Sequence, residues 1–170
     1  MSDFLIGGID PGLSGGLVQI DLEGTVIKFM KMPRLDYKTK KSEIDIVSID
    51  MFFNGSDFIG LERASAMPAY GKDGKEMRQG SAALFNFGKG YGEILGWLRL
   101  NYVDKYKLIT PTVWKRHHNL LKQNKQASKD LAIKMAYNDF RATARSTTPH
   151  EGICEGFLIA RYALDKIVKA

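Results

Sequence analysis

Cysteine is almost missing from this chain. Cys154 stands alone, so no internal disulfide can form and a reducing, intracellular compartment is expected. That one thiol reads as a small buried packing group rather than a nucleophile. Histidine is scarce too, at three residues. His117 and His118 are adjacent with no cysteine near them, which argues against a zinc site. Neighbours on a helix point apart, and contacts with solvent or phosphate are expected for both. No apolar run approaches the ~20 residues of a membrane helix. Met1-Ser2-Asp3-Phe4 puts no basic region ahead of an apolar stretch, so no signal peptide is expected. No histidine–asparagine or serine–histidine arrangement suggests covalent catalysis. Repeats, low-complexity tracts and linkers are also lacking. The 170 residues suit a single domain, 1–170, around one core, and a cytoplasmic location is expected.

Charge, by contrast, is present and uneven. The net formal charge is +6. Lys115 to Arg145 holds eight basic residues against Asp130 and Asp139, and the rest of the chain balances at seventeen of each sign. A local basic stretch on a neutral body suits a polyanion such as nucleic acid. It suits equally a lysine-rich helical surface facing solvent.

Hydrophobic patterning predicts three opening strands. Phe4–Ile9 runs into the turn Asp10-Pro11-Gly12, and Gly15–Asp21 and Val26–Lys31 are joined by Leu22-Glu23-Gly24-Thr25. Met32 to Glu43 reads as a loop, Asp45 to Phe53 as a helix, and Asp57–Leu61 as a strand entering Glu62. Ala64 to Gly80 is a long loop with glycines and bases. Ser81 can cap a helix reaching about Tyr102. Its glycines at 88, 90, 92 and 96 predict close packing, because each costs ~1 kcal/mol against alanine. Their spacing does not fit a dinucleotide fingerprint. Lys107–Ile109 reads as the last strand. Helices follow over Thr112–Leu121, Ser128–Phe140 with Ser128 as cap, and His150 to about Val168 after Pro149. The order predicts an α/β domain, a mixed five-stranded sheet flanked by helices.

Four acids stand out. Asp10 and Glu62 each end an apolar strand, where a carboxylate is desolvated unless a cation or donor meets it. Glu151 and Glu155 are four apart, on one face of the last helix. Their repulsion would become attraction around a bound cation. Hard oxygen donors on three elements suit two Mg²⁺ ions acting on a phosphodiester. Each acid alone has a plainer use. Asp10 fits an Asp-Pro-Gly turn, and Glu62 a pair with Arg63 or a loop lysine. Glu151 suits the helix N-terminus, and Glu155 an exposed face. The set carries more weight than its members, because one fold would bring all three elements to one end of a sheet.

At these residues the chain resembles RuvC-type Holliday junction resolvases, especially phage-type members. The likeness lies in Gly8-Ile9-Asp10-Pro11-Gly12 with Gly15-Gly16, then Leu61-Glu62-Arg63 with Gln79-Gly80-Ser81 and Phe85-Asn86-Phe87-Gly88. It continues in Thr110-Pro111-Thr112-Val113-Trp114-Lys115 and in Glu151-Gly152-Ile153-Cys154-Glu155-Gly156-Phe157-Leu158-Ile159-Ala160. The ordered set spans nearly the whole chain. The first motif alone also opens actin-like ATPases and sugar kinases, which need two such domains. The resemblance implies an RNase H-like fold and a homodimer that cuts two strands of a four-way or otherwise branched DNA, leaving 5′-phosphates. It implies Mg²⁺, with Mn²⁺ able to substitute, on Asp10, Glu62, Glu151 and Glu155, and a DNA-facing Lys115. A phage source would make the compartment the host cytoplasm. The family carries aspartates where this chain has Glu151 and Glu155, which puts ion geometry and preference in question.

Candidate DNA contacts are Lys72, Lys75, Arg78, Lys89, Lys115, Arg116, Lys122 and Lys125. Such contacts position a backbone without reading sequence, so branched shape is the expected determinant. His150 suits either a metal or water contact or a polar role in the first helical turn. The aromatic helix is read as core with part of it a dimer face, where Gly92 and Gly96 would let a second helix approach. No nucleotide cofactor and no membrane contact are expected. The alternatives are a branched-DNA-binding protein whose site has lapsed and an RNA:DNA-hybrid nuclease.

Overall fold

The computed structural model describes residues 4–35, 43–64, 69–70, 76–77, 80–143 and 149–169. The chain opens with β1 (Ile6–Asp10), β2 (Gly16–Ile20) and β3 (Val26–Lys31), followed by β4 (Arg34–Leu35), β5 (Glu43–Ile44) and α1 (Ile46–Phe53). Next come β6 (Phe58–Glu62), β7 (Ala69–Tyr70), β8 (Glu76–Met77), α2 (Ser81–Asn101) and β9 (Tyr106–Ile109). The chain closes with α3 (Pro111–His117), α4 (Lys125–Thr143), α5 (Glu151–Ala163) and a π-helical segment, Leu164–Val168. The main sheet is five-stranded and mixed, ordered β3-β2-β1-β6-β9. β1, β2 and β3 pair antiparallel, while β6 and β9 run parallel to β1. Among the described residues, no helix is long and apolar enough to cross a membrane.

Side chains alternate across a strand, and that period sorts the core into two layers. Ile6, Val18 and Ile20 pack with Trp114, Phe140, Phe157 and Leu158 on the α3–α4–α5 side. Ile9, Leu17, Ile59 and Leu61 pack with Ile49, Phe53, Ile94 and Trp97 on the α1–α2 side. Each fully buried side chain of this size contributes ~1.5–3 kcal/mol. Helix α5 lies very close to the sheet because both surfaces carry glycine. A Cβ on Gly8 would overlap the Gly156 carbonyl, and one on Gly16 would come within 2.6 Å of the Ile153 nitrogen. Gly15 and Gly152 form an isolated bridge. The Gly-x-x-x-Gly face of α5 therefore sets how near Glu151 and Glu155 come to β1.

Local details depart from the sequence reading. Gly80, not Ser81, is the N-cap of α2, and no side chain caps it. Ser128 is buried inside α4. Asn124 caps that helix instead, its Oδ1 accepting from the Ala127 N–H at 3.0 Å. Helix α4 is kinked at Ala136 (φ −130°). Helix α3 stops at His117, because Asn119 takes a left-handed conformation (φ 58°). The two stretches read as loops carry short antiparallel ladders, β4 with β5 and β7 with β8. Among the described residues, a Cβ on Gly90 of α2 would meet Ile44, whereas one on Gly88, Gly92 or Gly96 would meet nothing within 4 Å.

Candidate active site

Strand register brings the first two acids together. Ile9 lies opposite Leu61 in the parallel pair, so Asp10 and Glu62, next along each strand, share one edge of the sheet. Both continue the faces of Gly8 and Gly60, whose added Cβ atoms would meet Ala160 and Ile159 of α5. The two carboxylates therefore face α5, where Glu151 opens the helix and Glu155 follows one turn later.

Burial dominates the electrostatics. The Asp10 carboxyl is pushed well above the usual range, first by desolvation and then by the negative charges of Glu155, Glu62 and Glu151. Glu62 and Glu155 are raised as well, again chiefly by burial. Trp114 Nε1 donates to Glu62 Oε2 at 2.6 Å, and this fixes one carboxylate oxygen. Glu155 is only 8% exposed, and among the described residues its Oε1 is buried without a hydrogen-bond partner. Two lysines supply the nearest positive charge. Lys115 Nζ is 3.9 Å from Glu155 Oε1, too far for a hydrogen bond. Lys125 Nζ is 2.6 Å from Glu151 Oε1. Lys115 also sits 5.1 Å over the Trp114 ring, which orients it.

A hard divalent cation fits this donor set in kind. All four groups are carboxylates, three are pushed toward protonation, and one oxygen is orphaned. Among the described residues, no three acids, histidines or cysteines already stand at the spacing that encloses an ion. Lys125 holds Glu151 instead. An ion would have to draw Glu151 off Lys125.

The other sequence-nominated residues divide. Arg116, Lys122 and Lys125 are exposed on α3, the following turn and the start of α4, and of these Lys125 reaches Glu151. Lys89 is turned to Glu43 (2.5 Å) and Glu93 (3.9 Å). Lys72, Lys75 and Arg78 lie outside the described residues. His150 caps α5, its Nδ1 accepting from the Gly152 N–H at 3.3 Å. The histidine pair is structural, contrary to the expectation of solvent or phosphate contacts. His117 Nε2 meets Asp165 at 3.1 Å and His118 Nε2 the Leu158 carbonyl at 2.8 Å, tying α3 to the last helix. Cys154 is fully buried, and burial pushes its thiol up to about 12.

Sequence reasoning missed a basic cleft of about 310 Å³ beside the acids, lined by Lys31, Arg34, His150 and the Leu13–Gly15 loop. The Arg34 guanidinium donates to the Leu13 carbonyl. A signal was available, since the hairpin register sets Lys31 opposite Gly16, and Gly16 opposite Asp10.

Sheet order, the flanking helices and the edge position of the acids define a RuvC-like, RNase H-like α/β fold. Two solved structures are similar over nearly their full length. One is the T. thermophilus RuvC in complex with Holliday junction substrate (TM-score 0.56, 10% identity, covering 96% of this chain and 96% of that one). The other is a Thermus thermophilus RuvC structure (TM-score 0.51, 10% identity, covering 98% and 97%). No protein-family model matches the chain, and no curated protein sequence does.

Proposed function

We propose that this chain is a divalent-metal-dependent endonuclease that cuts Holliday junctions and other branched DNA. The observation that carries the reading is the convergence of half-buried Asp10 and Glu62 with buried Glu155, which repel one another, with one Glu155 oxygen lacking a hydrogen bond among the described residues. Leaving a buried carboxylate oxygen without a hydrogen bond is costly, and a bound cation offsets the cost. The likeness to a RuvC seen with a Holliday junction substrate supports a branched substrate.

Asp10, Glu62, Glu151 and Glu155 would hold Mg²⁺, with Mn²⁺ able to substitute. Such ions activate water and neutralise charge developing on a phosphate. The chain's own residues do the positioning. Trp114 fixes Glu62, and the glycine contact between α5 and the sheet fixes Glu155. Lys115, Arg116, Lys122 and Lys125 receive the DNA backbone from the open side. The products would carry 5′-phosphates.

A homodimer would supply paired cuts, and α2 offers its face. Leu84, Gly88, Gly92, Gly96 and Leu100 follow one another at four-residue intervals, a single helical ridge. Leu84 is 52% and Leu100 82% exposed, and among the described residues nothing lies within 4 Å of a Cβ placed on the glycines between them.

A second reading is a branched-DNA-binding protein that does not cut. It is favoured by the lysine contacts on Glu151 and Glu155 and by the spacing of the acids. Incubation with a labelled four-way junction and a matched linear duplex, in Mg²⁺, Mn²⁺ or EDTA, separates the two. Metal-dependent paired nicks in the junction, with the duplex spared, support the nuclease. Tight junction binding without cutting in any metal supports the second reading.

A further inference from the structure

Two hollows share Leu13 of the β1–β2 loop, and their chemistry is opposite. The first is the basic cleft of Lys31, Arg34 and His150. The second is a cavity of about 330 Å³ between that loop, β5 and the N-terminal half of α2. Its walls are apolar, formed by Leu13, Ile44 and Phe87, and its rim is polar, with Asn86, Glu43 and Glu93. Lys89 lies between the two glutamates, so the described side chains of the rim carry two acids to one base. Such a rim repels a phosphate, whereas the basic cleft attracts one.

The cavity also lies close to the acids. Gly12, in its wall, is two residues beyond Asp10, at most ~7 Å along the chain. A Cβ on Gly12 would stand 3.5 Å from the Phe87 ring, so that ring lies against the loop leaving the site. Phe87 stacks on Tyr91, with centroids 6.3 Å apart and planes 23° apart, and is still 41% exposed. An exposed aromatic ring held by a second ring is a platform for a base. The volume is at the low end of the ~300–1,000 Å³ of small-molecule sites, enough for one planar ring system.

We propose that this cavity is a nucleobase pocket. It rests on the nuclease reading above and adds base selection to it. A base next to the cleaved phosphate leaves the stack, lies on Phe87 and presents an exocyclic amine to Asn86 and to the Glu43–Lys89–Glu93 group, while the basic cleft takes an adjoining phosphate. Extrusion costs least where a base has already lost a neighbour, as at a branch point. Asparagine pairs with the amine and ring nitrogen of adenine, and carboxylates accept from amines. The pocket therefore favours an amine-bearing base over thymine.

The test uses four-way junctions carrying 2-aminopurine singly at each position flanking the crossover, bound to the full chain in EDTA. A fluorescence rise at one or two positions is expected. The rise should drop at least fivefold in Phe87→Ala, with junction affinity changed less than threefold. With Mg²⁺, thymine in place of adenine at that position should lower cutting about tenfold. Asn86→Ala, an exposed change, should erase that difference. If the junction is bound and cut but no position responds, the pocket is overturned and the nuclease reading stands. If the wild-type chain does not bind the junction, both fall. If Phe87→Ala dissociates a dimer, the cavity belongs to a second copy and the base assignment is overturned.

Discussion

The indole N–H of Trp114 donates to the Glu62 carboxylate at 2.6 Å, joining α3 to the end of β6 across 52 residues of sequence. Trp114 is fully buried, so it serves both the core and the site. Trp114→Phe keeps most of the ring and removes the donor. A stability loss of about 1 kcal/mol is expected, the worth of one hydrogen bond, together with a fall of roughly tenfold in single-turnover cutting as Glu62 loses its fixed orientation. Trp114→Ala should cost ~3–5 kcal/mol and compromise folding. Equal cutting rates for wild type and Trp114→Phe would remove Trp114 from the site.

Burial of the acids has a thermodynamic signature in the metal-free protein. Asp10, Glu62 and Glu155 are all raised by burial first. Between the ordinary carboxylate range and their raised values, the folded state binds more protons than the unfolded one. Stability therefore falls as pH rises through that window and is recovered as pH falls. Asp10→Asn removes the charge that resists burial. The metal-free variant should melt higher than wild type at pH 8, by ~3 °C for each 1 kcal/mol recovered, and the gap should shrink towards pH 5. Cutting should be lost in Asp10→Asn and in Glu62→Gln, with junction binding largely kept. Calorimetry in EDTA at the two pH values checks the first part; identical melting at pH 8 would discard the claim that the site resists its own charge.

Much of this was legible in the sequence. Apolar runs ending at Asp10 and Glu62 located the two strands, and the fold reading brought both strands and the last helix to one end of a sheet; that both acids face α5 emerged only from strand register. The spacing of Glu151 and Glu155 put them on one helical side. Side-chain detail was not legible. Nothing local to Ser81 or Ser128 distinguishes a cap from a helix residue, since either role depends on where the chain enters. His117 and His118 found partners on the last helix some forty residues away, which no local pattern encodes. The basic cleft was hidden because Lys31 and Arg34 fall outside the basic segment and reach the site only through strand register.

Lys125 and an incoming cation compete for one carboxylate. Lys125 Nζ lies 2.6 Å from Glu151 Oε1, and Glu151 in turn raises the affinity of Lys125 for its proton. Lys125→Met keeps the stem and removes the charge. The Mg²⁺ concentration giving half-maximal thermal stabilisation should fall severalfold, while junction affinity weakens through the lost phosphate contact and becomes less salt-sensitive. Thermal shift over a Mg²⁺ titration, without DNA, isolates the first effect. A weaker response to Mg²⁺ in Lys125→Met would mean that the lysine supports the ion rather than displacing it.

Two groups of glycines should respond in opposite ways to one methyl group. Gly8→Ala drives a Cβ into the Gly156 carbonyl on α5, where neither backbone can yield, and a loss of several kcal/mol is expected. Gly92→Ala and Gly96→Ala meet nothing within 4 Å among the described residues, so each should stabilise an isolated α2 by up to ~1 kcal/mol through helix propensity. If the Leu84–Leu100 ridge is the dimer face, those same methyl groups hold a second helix away. The double variant should then melt higher at low protein concentration and yet sediment as a monomer where wild type sediments as a dimer. Paired cuts in one junction should become single, unlinked nicks. A double variant that still sediments as a dimer moves the interface off α2, and a wild type that is monomeric at all concentrations removes the homodimer.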